Sequence, residues 1–102
     1  MSKITPQAQV LEAENTLSAI HAAQQVDPQL VFVDVVLGNE DGVNCTRQLR
    51  PLLSDGRIIL MTAYPDREFR QKGIAAGASA LLDKKDLDST VLRGIIQDTL
   101  HI

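Results

Sequence analysis

The run Leu30-Val31-Phe32-Val33-Asp34-Val35-Val36-Leu37 is apolar at every position but Asp34, and half of it is valine. It is too short for a typical helix, and it lacks the polar alternation of a strand with one wet face. A strand buried on both faces reads this way, as in a parallel sheet covered by helices on each side. Asp27-Pro28 ahead of it breaks a helix. Gly38-Asn39-Glu40-Asp41-Gly42 behind it is a loop by its turn residues.

Working outward, Val10-Leu11-Glu12-Ala13 is a short strand. Asn15 or Thr16 caps a helix to about Gln25, with Leu17, Ile20 and Ala23 as its inward stripe. Val43 to about Arg50 reads as a helix whose end Pro51 disturbs, and Asp55-Gly56 as a turn. Arg57-Ile58-Ile59-Leu60-Met61 is a second central strand, followed by the loop Thr62-Ala63-Tyr64-Pro65. Asp66 to Ala76 is a helix with Phe69 and Ala76 inward, and Gly77 supplies a left-handed end. Ser79-Ala80-Leu81-Leu82 is a short strand. After Lys84-Lys85-Asp86, Leu87 to Leu100 forms a last helix with Val91, Ile95 and Thr99 on one face. The order βαβαβαβα predicts an α/β fold: a parallel sheet with helical crossovers.

Length and composition narrow the function classes. A chain of 102 residues is one small domain, and 44% hydrophobic content with 23% charge is globular rather than disordered. Aromatics are only 3%, so Val, Leu, Ile and Ala build the core. A net charge of -3 argues against direct nucleic-acid binding. The single Cys45 excludes an internal disulfide framework and a cysteine-rich zinc site. No apolar run approaches a membrane span, and Met1-Ser2-Lys3-Ile4-Thr5-Pro6 is no signal segment. A cytoplasmic location is expected.

Ligand chemistry in open parallel sheets collects at the carboxyl ends of the strands. Asp34, Thr62 and Lys84 fall there on three successive strands. A carboxylate, a hydroxyl and an ammonium side by side suit phosphoryl transfer to the carboxylate: Asp34 as nucleophile, Thr62 as a donor to the phosphoryl group, Lys84 as counter-cation. A divalent cation would normally assist. Taken singly, Asp34 or Thr62 is commonly a helix cap and Lys84 solvated charge. The coincidence of three is what is specific.

The sequence resembles the receiver domains of bacterial two-component response regulators. The residues that carry the resemblance are Asp27 to Asp34, Gly42 eight residues after Asp34, Leu60-Met61-Thr62-Ala63, and Gly77-Ala78-Ser79 with Lys84 seven residues after Gly77. The likeness covers about Val10 to Leu100, which divides the single domain into a short extension, 1–9, and a receiver core, 10–102. It implies a flavodoxin-like fold. It also implies Asp34 as the phosphoacceptor, Thr62 as the switch hydroxyl, Lys84 as the phosphoryl-binding lysine, and Mg²⁺ held by Asp34 and the Val36 carbonyl. The implied partner is a sensor histidine kinase or a phosphotransfer protein.

Two features depart from the family pattern. Receivers begin with a strand, an acidic pair and a helix, whereas only nine residues precede Val10 and none is Asp or Glu. The first strand, the pair and the first helix are therefore expected to be absent, leaving about four strands and four helices and a poor Mg²⁺ site. If the first strand moved in beside the Asp34 strand, Glu14 would approach the site; otherwise Glu12 and Glu14 sit on a solvated strand end. The second departure is Leu81, which stands where receivers usually carry Tyr or Phe. Tyr64, two residues after Thr62, could move in its place, though a surface or helix-contact role is the plainer expectation.

With four strands in sequential order, right-handed crossovers put three helices on one face and only the last helix on the other. Four strands span roughly 19 Å and a helix about 10 Å. An uncovered sheet face is expected, and with it self-association, such as a dimer, or a partner over the face. Cys45 reads as a small buried residue, and His21 and His101 as surface residues. Three readings compete: a phosphorylation switch; a degenerate receiver serving as a dimerisation or partner-binding module; and an Asp-nucleophile phosphatase. The last is disfavoured because Val36, not a carboxylate, stands two residues after Asp34.

Overall fold

The computed structural model describes residues 3–5, 10–37, 40–53, 55–63 and 66–100. Strand β1 (Lys3–Thr5) runs antiparallel to β2 (Val10–Glu12). There follow α1 (Thr16–Val26), β3 (Leu30–Asp34), the two-residue strands β4 (Val36–Leu37) and β5 (Glu40–Asp41), and α2 (Gly42–Leu49). Then come β6 (Arg57–Thr62), α3 (Arg67–Ala76), β7 (Ala80–Asp83) and α4 (Ser89–Leu100). The main sheet has the order β1-β2-β3-β6-β7, parallel from β2 onward. The expected parallel sheet with four alternating helices is found. The antiparallel edge strand β1, inside the 1–9 extension, is an addition; three residues are too few for periodicity to announce.

Local chemistry sets the element ends. Asn15 caps α1 by accepting from Ser18 N at 2.8 Å, Asp41 caps α2 from Val43 N at 2.9 Å, and Asp66 caps α3 from Phe69 N at 2.8 Å. Gly77 ends α3 at φ 112°, a left-handed angle that glycine adopts without cost. The long apolar run divides after Asp34: Val35 leaves the sheet, and Val36–Leu37 pair with Glu40–Asp41. The second half of the expected strand is thus a short separate ladder.

Alternation along the strands builds two cores. Leu11, Val31, Val33, Ile58, Leu60 and Leu81 face α1, α2 and α3. Val10, Leu30, Phe32 and Ile59 face the other way, toward Leu92, Ile95 and Ile96 of α4. Three helices on one face and one on the other is the expected division. The bare apolar sheet is not found: Val10, Leu30, Phe32 and Ile59 are 5%, 0%, 6% and 5% exposed. Glu12, opposite Phe32, occupies part of that face at its β2 edge, so less apolar surface needs cover than four uniformly apolar strands would present.

The inward stripes of two helices also differ from expectation. α1 buries Thr16, Ala19 and Ala23, leaving Leu17 exposed. α4 turns Leu92, Ile95 and Ile96 inward and leaves Val91 exposed. Gly38, Tyr64 and His101 lie outside the described residues.

Candidate functional site

The site lies at the carboxyl ends of β3, β6 and β7. Asp34 is the last residue of β3 and Thr62 the last of β6; Lys84 follows β7 directly, in a short 3-10 turn. β6 lies between the other two strands, so Thr62 stands on the strand that separates Asp34 from Lys84. Lys84 Nζ forms an ion pair with Asp34 Oδ2 across that gap. Asp34 Oδ1 accepts from Val36 N at 2.9 Å, an Asx-type turn that begins the exit from the sheet. Both carboxylate oxygens are therefore engaged, one by a cation and one by a backbone N–H. The Asp34 and Lys84 side chains are 28% and 42% exposed, so the pair can be reached from solvent. Thr62 is buried.

The backbone around Asp34 is held closely. Val35 N donates to Met61 O and Gly42 N donates to Val35 O, each at 2.8 Å. A Cβ on Gly42 would stand 2.0 Å from the Asp34 carbonyl oxygen, so only glycine lets α2 come this near. Gly42 is thus a positioning residue for the end of β3.

Two carboxylates near the site were not singled out from the sequence. Asp83 pairs in register with Thr62; its side chain is only 12% exposed, and it takes Lys85 Nζ at 3.2 Å and Lys85 N at 3.0 Å. Its place directly before Lys84, at a strand end, was a readable signal. Glu40 Oε1 accepts from Thr16 N at 2.8 Å, a contact across 24 residues that no local pattern announces. Cys45 is buried, and burial pushes its thiol pKa up; a Thr16 hydrogen bond acts the other way and the Glu40 charge adds to the rise.

β2 lies directly beside β3, so the strand has moved into that slot. Its register, Glu12 opposite Phe32, carries on to Ala13 N donating to Phe32 O at 3.0 Å. Glu14 follows in an exposed bend.

With this geometry in hand, comparison with known proteins is informative. Residues 3–97 match the response regulator receiver domain family. The chain belongs to that family. The chemotaxis protein CheY of Halobacterium salinarum is 30% identical over 84 residues, covering 82% of this receiver and 70% of that protein. The transcriptional regulatory protein LiaR of Bacillus subtilis is 32% identical over 73 residues, which are 72% of this receiver but 35% of LiaR. A response regulator from Burkholderia pseudomallei, solved with a phosphorylated aspartic acid, calcium ion and citrate, superposes with a TM-score of 0.73 at 25% identity, over 87% of this receiver and 52% of that chain.

Receiver domains generally bind Mg²⁺. Mg²⁺ asks for near-octahedral oxygen coordination. In this receiver the one carboxylate at the end of β3 already has both oxygens engaged. Among the described residues no group of three or more His, Cys, Asp or Glu could hold a metal ion. Among the described residues, Asp34 and the Val36 carbonyl do not belong to any three-ligand acidic cluster, so the donor set does not fit a dedicated Mg²⁺ site. No helix among the described residues is long and apolar enough to cross a membrane.

Proposed function

We propose that this receiver accepts a phosphoryl group on Asp34 from a sensor histidine kinase or a phosphotransfer protein, and passes the change to another protein. The observation that carries the reading is the Asp34–Lys84 ion pair spanning the end of β6, where Thr62 stands. Asp34 Oδ2 attacks phosphorus, and the bond from phosphorus to the donor's leaving group breaks with its electron pair going to that group. The product is an acyl phosphate on Asp34. Lys84 then faces the phosphoryl oxygens instead of the carboxylate, and the Thr62 hydroxyl donates to one of them. Positive charge and an oriented donor around the transferred group lower the barrier.

In this role the protein is a switch rather than an enzyme turning over a substrate, and it works in the cytoplasm. Its net charge of -3 fits a protein partner better than nucleic acid. The test is intact mass after incubation with acetyl phosphate and Mg²⁺. One phosphoryl adduct, lost in Asp34→Asn, is the expected result; no adduct on the native chain overturns the reading.

The shortage of metal-binding carboxylates favours a second reading: a degenerate receiver acting through self-association or partner contacts without phosphate. Leu17 and Val36, 78% and 68% exposed, flank the Thr16–Glu40 contact and would belong to such a surface. This reading expects no adduct and a dimer by light scattering. A monomer at micromolar concentration counts against its dimeric form.

A further inference from the structure

We infer that Glu40 is a positioning residue linking the state of Asp34 to the N-terminus of α1. The trigger rests on the phosphoacceptor reading above; the link itself does not. The first N–H groups of a helix have no intrahelical acceptors. Asn15 satisfies Ser18 N, and Glu40 Oε1 takes Thr16 N. α1 has no acidic residue in its own first turn, so Glu40 supplies from a distance the negative charge that a helix start favours.

Glu40 is joined to Asp34 by few steps. It pairs with Leu37 in the β4–β5 ladder, whose other pair is Val36 with Asp41. Val36 N in turn donates to Asp34 Oδ1. A ladder of two residues has little stability of its own. Besides the Gly42 N–H to Val35 O bond and the Asp41 cap of α2, it is tied to the Asp34 carboxylate at one end and to the Thr16 amide at the other.

Phosphorylation removes the charge from the Asp34 carboxyl group and leaves Oδ1 a neutral carbonyl oxygen. Hydrogen bonds to ionised acceptors are roughly twice as strong as neutral ones, so the Val36 anchor weakens. The ladder loosens, Glu40 releases Thr16, and the first turn of α1 frays beside the exposed Leu17. Leu81 is a buried apolar residue and offers no polar edge for the aromatic swing usual in receivers. Cys45, close enough to feel both the Thr16 side chain and the Glu40 charge, is a built-in reporter of the contact.

Amide hydrogen exchange of Thr16, followed by NMR on the full chain, tests the link. Glu40→Ala should speed Thr16 exchange at least about fivefold, the scale of one lost hydrogen bond, while β6 amides stay protected. Asp34→Ala should do the same with Glu40 intact. Asp34→Asn, which keeps a neutral oxygen acceptor, should have a smaller effect. The double variant Asp34→Ala/Glu40→Ala should exchange no faster than Glu40→Ala alone. Iodoacetamide alkylation of Cys45 should follow the same ranking.

Native Thr16 exchange in both Asp34 variants, or additive effects in the double variant, overturns the link. If Asp34→Ala does not fold, Asp34→Asn decides. Acetyl phosphate with mass detection separates the two claims. Absence of an adduct defeats the phosphoacceptor reading while the variants still judge the link. An adduct with unchanged Thr16 exchange defeats the link alone.

Discussion

Replacing Gly42 with alanine tests how the Asp34 carbonyl is held. The new methyl carbon would stand 2.0 Å from Asp34 O, 2.7 Å from Val35 Cα and 2.8 Å from the Asp34 carbonyl carbon. Ordinary contact begins at 3.4 Å, so α2 and the end of β3 must part by 1.4 Å, the difference between 3.4 and 2.0. Both sides are backbone, and no side-chain rotation relieves the overlap. A shift of that size stretches the Gly42 N to Val35 O bond from 2.8 Å to well beyond hydrogen-bonding range. Overpacking costs about 1–3 kcal/mol and the lost hydrogen bond about 1 kcal/mol, against a helix-propensity gain of under about 1 kcal/mol. A net loss of about 1–3 kcal/mol lowers the Tm of a domain this size by roughly 4–24 °C.

Gly94→Ala is the control: nothing lies within 4 Å of its added carbon, and it sits inside α4. It should raise stability by about 0.5–1 kcal/mol. Circular-dichroism melts of the three proteins side by side measure both effects. A Gly42→Ala protein melting with the native chain would refute the close approach of α2 to Asp34, and with it the account of how the site is positioned.

Other perturbations separate stability from chemistry. Lys84→Ala should cost under about 1 kcal/mol in a urea melt, because the pair is partly solvated, yet should shorten the lifetime of any phosphoryl adduct followed by mass. The buried Cys45 has a raised thiol pKa, so the unfolded chain loses that proton first as the solution becomes alkaline. Its contribution to stability is complete below the ordinary thiol pKa of about 8.5 and is lost progressively above it. Cys45→Ser should flatten the alkaline limb of a melt-versus-pH series. Asn15→Ala should cost about 1 kcal/mol of stability by removing the acceptor for Ser18 N, readable in the same melts. A ligand at a hundred times its Kd adds about 2.7 kcal/mol, so millimolar Mg²⁺ binding a good site would shift the melt clearly. With the donors present here, melts in Mg²⁺ and in EDTA should coincide.

The Asp34 and Lys84 placements were legible because strand ends in a parallel sheet are fixed by where an apolar run stops. Helix faces were read less well. On α1, Asn15 fixes the start, and Thr16, Ala19 and Ala23 at spacings of three and four form the inward stripe. Leu17 lies about 100° round from Thr16, and hydrophobicity alone misplaced it. On α4, Ile95 was placed correctly, but the inward face runs through Leu92 and Ile96 beside it while Val91 is exposed. The Glu40–Thr16 contact was beyond sequence reading, since it joins a loop to a helix start 24 positions away. The slot taken by β2 was readable only as a possibility, because it depends on pairing choices made by the whole sheet.

That slot has an electrostatic consequence. Beside β3 stands β2, which ends at Glu12 and leads through Ala13 to Glu14 in an exposed bend. Asp34 alone carries one negative charge, and the Lys84 ammonium already balances it. A divalent cation entering there would compete with the Lys84 ammonium for the Asp34 carboxylate. A phosphoryl group arriving on Oδ2 meets the opposite situation: it brings negative charge to a lysine that has just lost its partner. Lys84 thus has a favourable place in both the free and the phosphorylated forms, whereas a metal is favoured in the second more than the first. Under the phosphoacceptor reading, a further carboxylate introduced beside Asp34 would strengthen metal binding without touching the proposed nucleophile.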